Sequence, residues 1–122
     1  VVIVAGYTEP MNNFFESNPG LKSRFNTFIE FDDYNVYELI QILTSMCQSN
    51  DYILEEEVKR QTELYFEKQI ELGKDNFANG RLVRNIYDDL VMQHARRVVA
   101  IENPSKTELS SIKPEDFVSK FN

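Results

Sequence analysis

Residues 1–11 read Val-Val-Ile-Val-Ala-Gly-Tyr-Thr-Glu-Pro-Met, residues 17–25 read Ser-Asn-Pro-Gly-Leu-Lys-Ser-Arg-Phe, and residues 27–31 read Thr-Phe-Ile-Glu-Phe. The unbroken apolar run Val1–Ala5 is typical of a strand that is buried on both faces inside a parallel sheet. Residues 27–31 predict a second strand, because phenylalanine and isoleucine suit a pleated surface. A central strand needs neighbours that pair with it, so we expect these residues to be the end of a larger α/β protein.

The composition is that of a globular protein without a basic surface. The 122 residues carry a net charge of −7, with 42% hydrophobic and 27% charged residues. This charge argues against a nucleic-acid interface and against an anionic membrane surface, since both attract basic residues. The apolar run at the start is far shorter than the roughly 20 residues that span a bilayer. The single cysteine, Cys47, allows no internal disulfide, and we expect a buried thiol in a cytoplasmic protein.

Helical periodicity dominates the chain after the second predicted strand. Between the two strands we expect a short helix that opens at Glu9-Pro10 and stops at Asn18, followed by a connection over residues 21–25. After a polar hinge at residues 32–35, Asn35 can cap the first helix of a bundle of about four. Of the other expected helices, one spans about Glu55–Leu72, one starts near Arg81 and one starts at Pro114. The expected loops are Gly73–Gly80 and Glu102–Lys113. The predicted fold class is therefore a mostly α fragment of an α/β protein.

Arg24 is the first candidate functional residue. It follows Asn18-Pro19-Gly20 on a segment predicted to be an irregular, exposed loop just before a buried strand. Binding groups are often found on such loops. From composition alone, a surface arginine without a function is the simpler interpretation, so both alternatives stay open.

Arg81 and Arg84 form a second cationic pair, at the start of the third helix of the predicted bundle. Three residues apart, they lie on neighbouring faces of its first turn. A helix N-terminus is already positive, so two arginines there are unfavourable unless an anion is expected. The alternative is two solvated arginines near Asp88 and Asp89. His94, the only histidine, lies on an apolar stripe and is expected to be a packed side chain rather than a ligand.

The chain closely resembles AAA+ ATPases of the CbxX/CfqX type. The resemblance is carried by the three quoted stretches, the last of which continues as Ile-Glu-Phe-Asp-Asp-Tyr over residues 29–34. The CbxX/CfqX group includes the stage V sporulation protein K family and the red-type Rubisco activases, and the resemblance extends to about Arg97. It implies that Thr8 is at the sensor-1 position, where many AAA+ relatives carry asparagine. It also implies that Arg24 is the arginine finger. The segment from Gly80 resembles the sensor-2 motif, with Arg81 as the best candidate to contact the γ-phosphate and Arg84 as the second.

The resemblance implies a division into two parts and an activity for the parent protein. Residues 1–33 would be the C-terminal part of the nucleotide-binding core, and residues 34–122 would be the helical lid. The parent would bind ATP and Mg²⁺, assemble into a homo-oligomeric ring, commonly a hexamer, and use hydrolysis to remodel a protein client.

Two sequence signals of a complete ATPase are absent from the 122 residues. There is neither a Gly-x-x-x-x-Gly-Lys-Ser/Thr loop nor an apolar strand that ends in Asp-Glu. We therefore expect this chain alone to be inactive and to bind no nucleotide tightly. No His/Cys/carboxylate cluster has the spacing of a metal site. An alternative function is a non-catalytic, acidic helical module for protein interaction.

The two predicted strands also lead to an expectation about self-association. In AAA+ cores the strand that carries the Walker A loop lies between them. Without it, the edges of both segments are open, and such edges recruit other chains. We expect pairing between copies, or a rearranged pairing within one copy.

Overall fold

The computed structural model describes residues 1–73 and 79–117. They divide into two compact units, a first unit of Val1–Asp32 and a second unit of Asp33–Asn122. Each unit is described by itself below.

The first unit contains two short helices, α1 (Thr8–Ser17) and α2 (Pro19–Arg24). Phe15 is its buried side chain, and its ring meets those of Phe25 and Phe28 edge-on at centroid distances of 5.5 and 5.4 Å. The predicted helix from Glu9-Pro10 is confirmed. The predicted connection over residues 21–25 is wrong, because helix α2 occupies most of it; Pro19 takes the first helical position, where its missing N–H costs nothing.

Neither predicted strand of the first unit forms in this structure. Residues 1–7 and 25–35 are outside helices and strands, and the apolar side chains of Val1–Val4 are exposed, as are Phe28, Ile29 and Phe31. An extended apolar segment becomes a strand only when a neighbour pairs its backbone groups. The described residues of this unit supply no such neighbour, so the expected rearranged pairing within one copy is not found.

The second unit is a helical bundle built on α3 (Val36–Ser49), α4 (Glu56–Leu72) and α5 (Asn79–Val99). Asn35 caps α3 as predicted: its side chain accepts from the Glu38 N–H at 2.9 Å, and the Glu38 carboxylate accepts from the Asn35 N–H at 3.1 Å. Helix α4 ends at Gly73, whose φ of +53° places it in the left-handed region that glycine tolerates. The predicted loop after Gly73 lies mostly outside the described residues.

The core of the bundle comes from one apolar stripe on each helix. The fully buried side chains of these stripes are Leu39, Leu43, Val58, Phe66, Val83, Ile86 and Leu90. Stripes at three- and four-residue spacing bury one face of a helix and leave the other in water. The predicted bundle of about four helices is therefore confirmed.

A small parallel sheet pairs the connection between α3 and α4 with a segment that follows α5. Strand β1 (Ile53–Leu54) pairs with β2 (Ser111–Ile112), with Ile53 opposite Ser111 and Leu54 opposite Ile112. Between α5 and β2 lies helix α6 (Lys106–Ser110), where the sequence predicted only a polar loop. The cause is a capping box, since Ser105 and Glu108 satisfy each other's backbone N–H. The helix predicted at Pro114 is a single 3₁₀ turn, Pro114–Asp116.

Candidate functional site

Arg81 lies on the first turn of α5 with its side chain exposed. Val83, Ile86 and Leu90 occupy the buried face of the helix, so the guanidinium is directed into solvent. Within residues 1–73 and 79–117, no carboxylate lies within ion-pair distance of Arg81. A planar cation without a partner at a positive helix end is suited to bind an anion.

Arg84 lies on the same helix as Arg81, but its guanidinium interacts with two other side chains of α5. Its Nε is 3.7 Å from Asp88 Oδ1, and its guanidinium carbon is 5.9 Å from the centroid of the Tyr87 ring. Both members of this ion pair are mostly exposed, and such pairs contribute only about 0.3–0.5 kcal/mol. The structure thus brings the two predicted arginines together, but only Arg81 is without an ion-pair partner among the described residues.

The first turn of α5 is anchored by Asn79, which is only 4% exposed. Its Nδ2 donates to the Tyr34 carbonyl at 2.7 Å, and its Oδ1 accepts from the Tyr34 N–H at 3.4 Å. Tyr34 directly precedes the cap of α3. Nothing in the local sequence around Asn79 indicates a partner 45 residues away, so its role could not be predicted.

Thr8 and Arg24 lie in the first unit, and both are exposed. Thr8 is the first residue of α1, and Arg24 is the last residue of α2. The irregular loop predicted around Arg24 is therefore wrong, because this arginine belongs to the last turn of a helix. In the part of the chain that the structure describes, Arg24 forms no ion pair.

A buried polar cluster lies at the other end of α5. Arg97 donates from Nε to Asp116 Oδ1 at 2.9 Å and from Nη2 to Asp116 Oδ2 at 3.1 Å. The same Nη2 lies 2.9 Å from the Ser111 carbonyl and 3.1 Å from His94 Nδ1, and His94 Nε2 is 2.8 Å from the Leu109 carbonyl. The hydrogen bond with Asp116 raises the pKa of Arg97 further above its usual value.

This cluster decides the sequence prediction for His94. His94 is a packed and hydrogen-bonded side chain, as expected. Arg97 forms an ion pair with an aspartate that is 1% exposed, so it does more than complement the negative end of α5. The role of Asp116 could not be predicted from the sequence, because it depends on how the chain folds back onto α5.

The remaining titratable group of interest is Cys47, which is 1% exposed. Burial raises the pKa of its thiol to about 11, because the thiolate would lose its hydration. At neutral pH the thiol is protonated and inaccessible, so the predicted structural role is confirmed.

The described residues contain no group of three or more His, Cys, Asp or Glu side chains that could hold a metal ion. None of the helices they form is both long and apolar enough to cross a membrane.

Comparison with known proteins gives one family match and several relatives. The model of the AAA lid domain matches residues 35–122. A CfxQ homolog of Trieres chinensis is 41% identical over 120 residues, covering 97% of this chain and 40% of the relative. The chloroplastic ribulose bisphosphate carboxylase/oxygenase activase of Cyanidioschyzon merolae is 35% identical, with 97% and 40% covered. Stage V sporulation protein K of Bacillus subtilis is 33% identical over 121 residues, with 98% and 38% covered.

The chain spans about two fifths of the length of the relatives it matches. The family model covers the second unit from the cap of α3 onward, and the relatives cover both units. The chain therefore belongs to the AAA+ ATPases of the CbxX/CfqX type and contains their AAA lid domain.

Proposed function

We propose that this chain is the C-terminal part of an AAA+ ATPase module and supplies three motifs of its ATP site: sensor 1, the arginine finger and sensor 2. Residues 1–33 are the end of the nucleotide-binding core, with Thr8 as sensor 1 and Arg24 as the arginine finger. Residues 34–122 are the lid, with Arg81 as the main sensor-2 residue and Arg84 as a secondary one. The family match of the second unit supports this division.

The observation that carries the proposal is the position of Arg81. Its guanidinium is exposed on the first turn of α5, and no described carboxylate compensates it. A cation there is disfavoured by about 0.3–1 kcal/mol relative to an anion or a neutral group. When a phosphate is bound, a cation at this position becomes favourable, because the helix end and the arginine then attract the same anion.

The chemistry of the donors fits a triphosphate. Guanidinium groups bind phosphate oxygens bidentately and stay charged at any physiological pH. Arg81 would hold the γ-phosphate of its own subunit, and Arg24 would reach the γ-phosphate of the neighbouring subunit. The residues that bind Mg²⁺ and cradle the β-phosphate would come from parts of the parent protein outside these 122 residues.

The parent protein would work as a cytoplasmic homo-oligomeric ring, most simply a hexamer, that remodels a protein client. One relative is named as an activase of ribulose bisphosphate carboxylase/oxygenase and another as a sporulation protein. We propose that this chain serves the same type of task, in which closure of the lid over ATP passes force to a folded client.

The test compares Arg81→Ala with Arg96→Ala in the full-length ATPase. Arg96 is an exposed arginine on the same helix, near its opposite end, so both variants remove one surface charge from α5. We expect Arg81→Ala to weaken ATP binding about 10- to 100-fold, the effect of losing one charged hydrogen bond of about 1.5–3 kcal/mol. The melting temperature should not change.

Arg96→Ala should leave both the affinity for ATP and the rate of hydrolysis unchanged. The proposal is contradicted if the two variants bind and hydrolyse ATP equally well. Arg81→Lys adds a further check: it keeps the charge but loses the bidentate geometry, so its affinity should fall between those of the wild type and Arg81→Ala.

A further inference from the structure

We propose that Asn79 is a positioning residue that fixes the orientation of Arg81 by tying the first turn of α5 to the start of the lid. This inference rests on the proposed function of Arg81. The structural basis is a pair of hydrogen bonds between the Asn79 amide and the backbone of Tyr34.

The side-chain amide of Asn79 uses both of its polar atoms on a single residue. Nδ2 donates to the Tyr34 carbonyl at 2.7 Å, while Oδ1 accepts the Tyr34 N–H over a longer distance of 3.4 Å. Only an amide offers a donor and an acceptor side by side; a carboxylate of the same size can only accept. Because Asn79 is almost fully buried, losing this pairing would leave polar groups without partners, which is unfavourable.

The geometry of the helix connects this anchor to Arg81. Two residues further along an α-helix the side chain points about 200° around the axis, so an inward Asn79 sets an outward Arg81. The first four N–H groups of a helix have no partner within the helix, and this end frays most easily. An anchor at Asn79 therefore fixes both the rotation of the first turn and its position along the axis.

The position of Tyr34 is also fixed by the residue that follows it and by a contact of its ring. Asn35, the next residue, forms the capping box with Glu38 that starts α3. The ring of Tyr34 also lies against Gly80, since a Cβ built there would be 3.8 Å from Tyr34 Cε2. The backbone of Tyr34 thus joins the beginning of α3 to the turn that carries Arg81.

This arrangement gives Asn79 a part in nucleotide sensing. Tyr34 is the second residue of the second unit, so the chain passes from core to lid immediately before it. A pull of bound phosphate on Arg81 is transmitted through the Asn79 pairing to this connection. Asn79 touches no phosphate itself and acts only through the position of Arg81.

The test is a double-mutant cycle for ATP affinity in the full-length ATPase, with Asn79→Ala, Arg81→Ala and the double variant. We expect Asn79→Ala to weaken binding about 10-fold, within the range that a misplaced binding group costs. In the Arg81→Ala background it should have no further effect, because the group that it positions is gone. Asn79→Asp keeps the size and suits a helix N-terminus, so it should fold but bind ATP as weakly as Asn79→Ala.

Hydrogen exchange in the 122-residue chain tests the pairing between Asn79 and Tyr34 directly. The Tyr34 amide should exchange its hydrogen faster in Asn79→Ala and remain unchanged in Asn50→Ala, which removes an exposed amide that donates to the Met46 carbonyl. Independent, multiplicative effects of Asn79→Ala and Arg81→Ala would overturn the positioning role, as would unchanged ATP affinity in Asn79→Ala. Wild-type affinity in Arg81→Ala would instead overturn the proposed function and this inference with it.

Discussion

Arg24 and Arg81 lie at opposite kinds of helix end. Arg24 closes α2, where a cation complements the negative end of the helix dipole, whereas Arg81 opens α5, where a cation opposes the positive end. Folding alone can therefore account for an arginine at position 24 but not for one at position 81. The case for Arg24 rests on the family resemblance, and it needs its own functional test.

Arg24→Ala in the full-length ATPase should leave ATP binding largely intact and reduce the rate of hydrolysis by about 10³- to 10⁵-fold, the contribution of an arginine finger in comparable enzymes. Lys22→Ala is the matched control, since Lys22 is an exposed cation in the same last turn of α2. Steady-state hydrolysis and equilibrium ATP affinity separate the two effects. Similar turnover in both variants would remove Arg24 from the catalytic role.

Cys47 provides a prediction about alkaline pH. Its folded-state pKa of about 11 is raised, so the protonated thiol is favoured by folding. The stabilisation is fully present below the unfolded pKa of about 8.5 and is lost as the pH rises towards 11, at up to about 1.4 kcal/mol per pH unit. The free energy of unfolding of the wild type should therefore fall more steeply from pH 9 to 11 than that of Cys47→Ala. If the free energy of unfolding fell equally with pH in both proteins, the raised pKa of Cys47 would be contradicted.

The ion pair between Arg97 and Asp116 joins α5 to the 3₁₀ turn and to β2. Arg97→Met keeps most of the side-chain volume but leaves the Asp116 carboxylate buried without its cation, which typically costs about 3–5 kcal/mol. We expect a lower urea midpoint in Arg97→Met and less than about 0.5 kcal/mol of change in the exposed control Arg96→Met. Adding Asp116→Asn to Arg97→Met should restore part of the stability. Equal midpoints for the two methionine variants would refute this role.

The elements that could be predicted from sequence are those whose signals are local. Helices α3, α4 and α5 each have an apolar stripe at helical spacing, and Asn35 is a recognisable cap. Helix α6 also has a local signal, the Ser105/Glu108 capping box, so it could have been predicted from the sequence. Strands β1 and β2 had none, because two-residue strands are defined by pairing between distant parts of the chain.

The same distinction applies to the candidate site. Arg81 and Arg84 could be proposed from the sequence because an excess of positive charge at a helix start is visible in it. The Asn79–Tyr34 pairing and the Arg97–Asp116 pair could not, since each depends on two segments meeting in the folded bundle. The segments Val1–Ala5 and Thr27–Phe31 were predicted as strands from their apolar pattern, but they do not form strands here. Such a pattern leads to a strand only where a partner strand is present.

The exposed apolar side chains of the first unit predict the behaviour of the 122-residue chain in solution. Val1–Val4, Phe28, Ile29 and Phe31 are exposed, and clusters of this kind promote association. We expect concentration-dependent self-association in sedimentation velocity, reduced by Ile3→Lys and Ile29→Lys together. The exposed lid residue Leu64 supplies a control, Leu64→Lys, which should associate like the wild type. A monomer at every concentration would contradict this prediction.

We propose that a complete ATP site takes Arg81 from one subunit and Arg24 from its neighbour. A mixing experiment combines two impaired full-length proteins, one with Arg24→Ala and the other with Arg81→Ala, and measures ATP hydrolysis before and after subunit exchange. In mixed rings some interfaces combine an intact Arg81 with an intact Arg24 from the adjacent subunit, so we expect turnover well above that of either variant alone. Turnover that stays at the average of the two variants after exchange would contradict the claim.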